Sequence, residues 1–218
     1  MSGRERLLQR NLPVDIDLGA LQKIAVSVRA THKQYMSAYG RALSRTAATL
    51  RKRAMADIKT GLAPRSLVMV RKRLLSFRLM RGAALDEGKI WLGLNAVKVK
   101  DLKGRIRGRV RPHHDLHSPI TGRFIAGRRK TTETGFDPKG SLLSSQNFIN
   151  GEVGRTRSGR RTVVIRDPQT RRTKEAEVDI YEPMLNVIED NAFADVPAIF
   201  LHHFETDLRG RIKARISL

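Results

Sequence analysis

The chain has 218 residues and carries 43 Lys and Arg against 21 Asp and Glu, a net charge of +22. A hydrophobic content of 40% supports a buried core, so the sequence does not read as a disordered polybasic tail. There is no run of about 18 apolar residues for a membrane span, no apolar centre in Met1 to Arg10 for a signal peptide, and no cysteine for disulfides, zinc ribbons or thiol catalysis.

Residues 1–16 read as an irregular extension, and 17–218 as a single α+β domain. Asp17 is a helix N-cap by type and position. After it Leu18, Leu21, Ile24, Ala25, Val28, Tyr35, Met36, Tyr39, Ala42, Leu43, Ala47, Leu50, Ala54 and Ile58 recur at three- and four-residue spacing, which predicts a helix from about 18 to 60, bent at Gly40. Such a helix would be roughly 60 Å long, longer than a domain of this size covers. Part of it is therefore expected to meet other subunits, through Val28, Tyr35, Tyr39, Leu43 and Leu50. The opposite face carries Lys23, Arg29, Lys33, Arg41, Arg45, Arg51, Lys52, Arg53 and Lys59. It reads as a solvated face or as a surface for phosphates or acidic neighbours.

Pro64 is expected to open a second, shorter helix through Leu75. Strand character follows at Lys89–Asn95 and at Val97 and Val99. In Lys103–Arg111, Arg105, Arg107, Arg109 and Arg111 alternate with small or apolar residues. In a strand this places four guanidinium groups on one side, about 6 to 7 Å apart; the bland alternative is a Gly/Arg-rich loop. Residues 112–147, rich in Gly and Pro and carrying Arg123, Arg128, Arg129 and Lys130, read as a long loop or extended hairpin. With 103–111 they form a basic arm reaching out of the domain. Strands are predicted again at Phe148–Val153, Arg161–Arg166 and Glu175–Ile180, with a turn at Asp167-Pro168. Pro183 opens one short helix. Asp195 starts the last, whose apolar stripe is Ile199, Phe200, His203, Phe204, Leu208 and Ile212. Ile199, Phe200 and Phe204 are expected to hold the subunit against its neighbours. Helices followed by strands and then helices make an α+β chain with a small, mainly antiparallel sheet.

Chemistry finds little footing. His113, His114, Asp115 and His117 crowd one loop without a helical platform or a distant partner, so a metal site is not expected. His202 and His203 read as packed residues. Glu175, Glu177 and Asp179 lie on one strand face; a nuclease would use such carboxylates for Mg²⁺, but pairing with Arg160, Arg161 or Arg166 is the simpler reading. No phosphate-cradling glycine loop and no nucleophile elbow is present. No enzyme, cofactor or metal is expected. Charge of this magnitude points to a polyanion, either nucleic acid or an acidic protein surface. With aromatics at 5% and none between Lys103 and Arg111, the expected contact is with backbone phosphates rather than stacked bases.

Four segments, taken in order, resemble the tail-completion proteins of long-tailed bacteriophages, the group of the lambda-type minor tail protein Z. They are the helical Ala42-Leu-Ser-Arg-Thr-Ala-Ala-Thr-Leu50, the basic helix Arg65 to Leu75, Lys89-Ile-Trp-Leu-Gly-Leu-Asn-Ala-Val97, and Phe148-Ile-Asn-Gly151 followed by a basic strand and a helix over Val196 to Arg215. Together they cover most of 40–218. Two features depart from the pattern: the loop from 105 to 147 is longer, and 175–183 is more acidic. The resemblance implies a non-enzymatic virion protein at the head-proximal end of the tail, made in the host cytoplasm, that enables head–tail joining. It implies a homo-oligomeric, sixfold ring around the DNA channel. Its partners would be neck or connector proteins, tail-terminator or tail-tube proteins, and packaged double-stranded DNA, with no membrane. Arg105, Arg107, Arg109, Arg111, Arg123, Arg128, Arg129 and Lys130 would face the DNA or an acidic partner. Composition by itself equally fits a cytosolic, ribosome-associated type of protein that binds nucleic acid without sequence preference.

Overall fold

A computed structural model describes residues 16–79, 85, 87–108, 118, 120–123, 133–167, 169–170 and 172–214. The chain is α+β, with a long N-terminal helix, small antiparallel sheets and C-terminal helices. It forms two compact units where the sequence suggested one domain. The first draws on Met1–Leu50, Ser76–Lys89 and Phe193–Leu218, the second on Arg51–Leu75 and Ile90–Ala192. The extension expected over 1–16 lies outside the described residues, apart from Ile16.

In the first unit the predicted continuous helix is two helices, α1 (Leu18–Ser27) and α2 (His32–Leu62). Asp17 caps α1 as expected, its Oδ1 accepting from the Ala20 amide at 3.0 Å. The break falls at Arg29, whose φ of 53° is left-handed and cannot propagate a right-handed helix. Thr31 and Gln34 restart it as a reciprocal cap: the Thr31 amide donates to Gln34 Oε1 at 2.9 Å, and the Gln34 amide to Thr31 Oγ1 at 3.3 Å. Gly40 lies inside α2, not at an end. The last helix, α5 (Val196–Lys213), begins at Asp195 with Pro197 in its first turn, where a missing N–H costs nothing.

Leu21, Ala38, Tyr39, Ala42, Phe200, Phe204 and Leu208 form one buried cluster from these helices. Tyr35 meets Phe204, and Tyr39 meets Phe200, edge to face with centroids 5.3 Å apart in both pairs. This redirects the residues expected to pack against other subunits. Tyr39, Leu50, Phe200 and Phe204 are buried inside the chain itself, while Val28, Tyr35, Leu43 and Ile199 are partly buried. A helical apolar stripe needs a partner, and here much of α2's stripe is met by α5 of the same chain.

The second unit begins with the remainder of α2 and the short helix α3 (Leu67–Lys72). Ser66, not Pro64, opens α3, its Oγ accepting from the Val68 amide. Pro64 instead bridges to Leu102. β1 (Leu74–Leu79) and β2 (Glu87–Leu92), of which residues 76–79 and 87–89 belong to the first unit, form a two-stranded sheet. β3 (Val97–Lys98) passes into a 3-10 turn, Val99–Asp101. Two three-stranded antiparallel sheets follow. One is β4 (Gly104–Arg107), β5 (Thr134–Pro138) and β6 (Gln146–Phe148); the other is β7 (Gly151–Arg155), β8 (Arg161–Arg166) and β9 (Thr173–Glu175). The extended chain then crosses at Ala176, which bonds to Val163 and Val99, into β10 (Glu177–Val178), which pairs with β3. α4 (Tyr181–Val187) and a π-helical turn at Ile188–Ala192 close the unit.

The segment expected to reach outward as an arm, 103–147, supplies sheet strands at 104–107, 134–138 and 146–147. Phe136 at the centre of β5 is buried, because its side of the strand faces the interior.

Candidate nucleic-acid interface

The Arg-rich stretch does begin as a strand. β4 pairs with β5 in the register Gly104↔Pro138, Arg105↔Asp137, Ile106↔Phe136 and Arg107↔Gly135. Arg105 and Arg107 therefore stand on one face, and Ile106 on the other with the buried Phe136. β4 ends at Arg107, and Gly108 departs with φ of 110°, a backbone region closed to residues with a side chain. Arg109 and Arg111 lie outside the described residues, as do Arg128, Arg129, Lys130 and the histidine cluster at 113–117. Arg123 is exposed at the end of a tight turn from Ser118 and does not line the cleft described next.

The two strand arginines have different surroundings. Arg107 lies across β5. Its Nε donates to Asp137, 3.1 Å from Oδ1 and 3.0 Å from Oδ2, and its Nη2 donates to Asn147 Oδ1 at 2.9 Å. Gly135 makes this reach possible: a Cβ there would fall 2.7 Å from Arg107 Nη2 and 2.8 Å from Asn147 Oδ1. Asn147 in turn donates to Glu133 Oε2 at 3.2 Å. The Arg105 side chain has no hydrogen-bond or ion-pair partner among the described residues.

Arg105 and Arg107 line an open cleft of about 560 Å³ together with Arg65 and Arg161. Arg65 arrives because residues 63–65 run beside 101–103. Its amide donates to the Asp101 carbonyl at 2.8 Å, its Nε to the Leu102 carbonyl at 2.9 Å, and the Lys103 amide donates to the Ala63 carbonyl at 2.9 Å. Arg161 arrives because β8 packs beside β4. It sits directly opposite Arg155 on β7, a like-charge pair in which the Arg155 Nη1 donates to the Gly159 carbonyl at 3.2 Å. Of the four cleft arginines only Arg107 has a carboxylate partner among the described residues. Among the described residues the rest of the lining is Gly104, Ile106 and Gly108, with no aromatic ring.

Neither Arg65 nor Arg161 stood out as a site residue in the sequence. Arg161 was expected to pair with the acidic strand, but that role falls to lysines. Glu175 Oε1 accepts from Lys100 Nζ at 2.8 Å, and Oε2 lies 3.0 Å from Lys98 Nζ. The alternation itself holds: Ala176, Val178 and Ile180 are buried, and Glu177 and Asp179 are exposed. The hydrogen bond from Lys100, aided by Lys98, holds the Glu175 carboxyl below its ordinary value of 4.5 against the opposing effect of burial. A carboxylate with a depressed folded-state pKa contributes stability above its unfolded pKa and loses it as pH falls through the folded one. Glu175→Gln is therefore expected to cost about 1.5–2 kcal/mol at pH 7, the lower end of the range for hydrogen bonds to charged groups, because the site is only partly buried. The gap from wild type should close on acidification from the ordinary carboxylate value downward, as urea melts at pH 7 and pH 3 would show. An equal gap at both would contradict this assignment.

His203 is half-buried, with Nε2 3.3 Å from Thr49 Oγ1. Burial, then the neighbouring His202 and Arg45, lower its pKa, consistent with a packed residue. Among the described residues no group of three or more acidic or histidine side chains is placed to hold a metal ion, and no helix is long and apolar enough to cross a membrane. No family model matches the chain, and neither a curated protein nor a solved structure matches it.

Proposed function

We propose that this chain is a structural, non-enzymatic virion component of a tailed bacteriophage. In this reading it acts in tail completion at the head-proximal end of the tail, as copies arranged in a ring around the DNA path. Neck and tail-tube or terminator proteins are its neighbours. The observation that carries the reading is the open cleft where Arg65, Arg105 and Arg161 converge without a carboxylate partner among the described residues. A surface of this kind suits DNA phosphates in a channel, with contact indifferent to sequence. The order of basic helix, Trp91-bearing strand, Asn-Gly turn and C-terminal helix supports the same placement.

Quantitative mass spectrometry of purified particles, scaled to the major capsid protein, tests it. A fixed number of copies per particle, near one ring's worth, is expected. Absence from particles, with the chain recovered in intracellular nucleic-acid complexes, would overturn the virion reading in favour of a cytosolic nucleic-acid-binding protein.

A further inference from the structure

We infer that the cleft between β4 and β8 is a binding site for the phosphate backbone of double-stranded nucleic acid, with Arg105 and Arg161 as its principal contacts and Arg65 at its edge. The inference deepens the proposed function and rests on its DNA-facing reading, giving that role to three residues that are distant in sequence.

Three observations favour a duplex over the other polyanions. Arg105 and Arg161 are exposed and have no partner among the described residues, so binding a phosphate breaks no existing ion pair there. Among the described residues the lining holds no aromatic ring, and Ile106 is its one apolar residue. Protein interfaces are built around buried apolar and aromatic anchors, whereas nucleic-acid interfaces are polar and strongly positive. Single-strand grooves stack bases on aromatic rings, and among the described residues none lines this cleft. Arg107 differs from its neighbours: its ties to Asp137 and Asn147 already occupy Nε and Nη2, so it shapes the wall more than it supplies free charge.

The test measures binding of the full chain to a random-sequence 20-base-pair duplex by fluorescence anisotropy from 50 to 200 mM salt. Wild type is compared with R105Q/R161Q and with a charge-matched variant in the other unit, K23Q/K33Q. Each lost phosphate contact lowers the magnitude of the log–log salt slope by about 0.9. The cleft variant should therefore fall by about 2, and wild type should lose about tenfold more affinity across that salt range than the cleft variant does. The remote variant should keep the wild-type slope. Equal slopes for the two variants would overturn the inference, provided thermal melts show both folded. Tighter binding to a single strand of the same length, or to polyglutamate, would overturn the duplex assignment. The assay uses no particles. A failed cleft in a chain found in virions sinks only this inference, and a working cleft in a chain absent from virions sinks only the virion reading.

Discussion

Replacing Phe204 by alanine is expected to lower stability by about 4 kcal/mol, within the range measured for truncating a buried phenylalanine. Phe204 is fully buried, and it meets the Tyr35 ring edge to face with a centroid distance of 5.3 Å and an interplanar angle of 72°. The substitution removes the ring, that aromatic pair and the contacts with Leu21, Ala38 and Ala42 in the same cluster. The helices around it cannot collapse fully into the space, so a cavity term adds to the lost transfer energy. For a chain of this size the midpoint should drop by about 10 °C. The same experiment asks whether Phe204 serves the chain or its neighbours. A residue packed within one chain gives a loss independent of protein concentration, whereas one packed between subunits makes the midpoint rise with concentration. A loss below about 0.5 kcal/mol, the ordinary surface range, would contradict the burial described.

Asp207→Ala should cost nearly as much, by a different mechanism. Asp207 is an acid on α5 with a side chain only 6% exposed, and three arginines converge on it. Arg211, one turn on and 12% exposed, donates from Nε to Oδ2 at 2.6 Å. Arg41 and Arg45, successive turns of α2, place Nη1 at 3.7 and 3.8 Å from Oδ1. Removing the carboxylate leaves Arg211 without its partner in a poorly solvated place and sets three like charges together. Breaking a buried pair costs 3–5 kcal/mol, but Arg41 and Arg45 are 58% and 48% exposed and turn readily to water. About 3 kcal/mol is the expected loss, carried mostly by Arg211. The double variant Asp207→Leu with Arg211→Met should recover at least half of it, because removing both charges restores an apolar contact. If the double variant is as unstable as the single one, the charge explanation is wrong and packing around Asp207 is the cause. Chemical denaturation of the wild type, Asp207→Ala and the double variant settles it.

The elements readable from sequence were those whose signal is local. β8 falls at Arg161–Arg166, where a run of Thr, Val, Val and Ile favours the extended chain. The Asp167 turn forms because its side chain accepts from the Gln169 and Thr170 amides, an interaction confined to four residues. The helical period from 18 to 58 was correct in phase and wrong in continuity. Apolar spacing carries across Val28 to Thr31 without a signal, while the reversal at Arg29 depends on one left-handed dihedral that an arginine does not announce. The start of α3 was misplaced for a related reason. Proline suits a first helical turn, but Pro64 is held by its bridge to Leu102, thirty-eight positions further along the chain.

By itself the sequence determined the charge of the molecule, the α+β order of its elements, the face of β4 that carries Arg105 and Arg107, and the alternation that buries Ala176, Val178 and Ile180. Each follows from composition or from a period of two or 3.6 residues, which any stretch of chain expresses without knowing its neighbours. The tertiary structure decided which charges stay free. It gave Arg107 to Asp137 and Asn147, Glu175 to two lysines, and Asp207 to three arginines, and it left Arg105 and Arg161 facing one cleft with Arg65. It also turned aromatic residues that read as subunit contacts inward onto α5. Those outcomes depend on strand register and on helices meeting across more than a hundred residues of chain, and a local pattern carries no information about either.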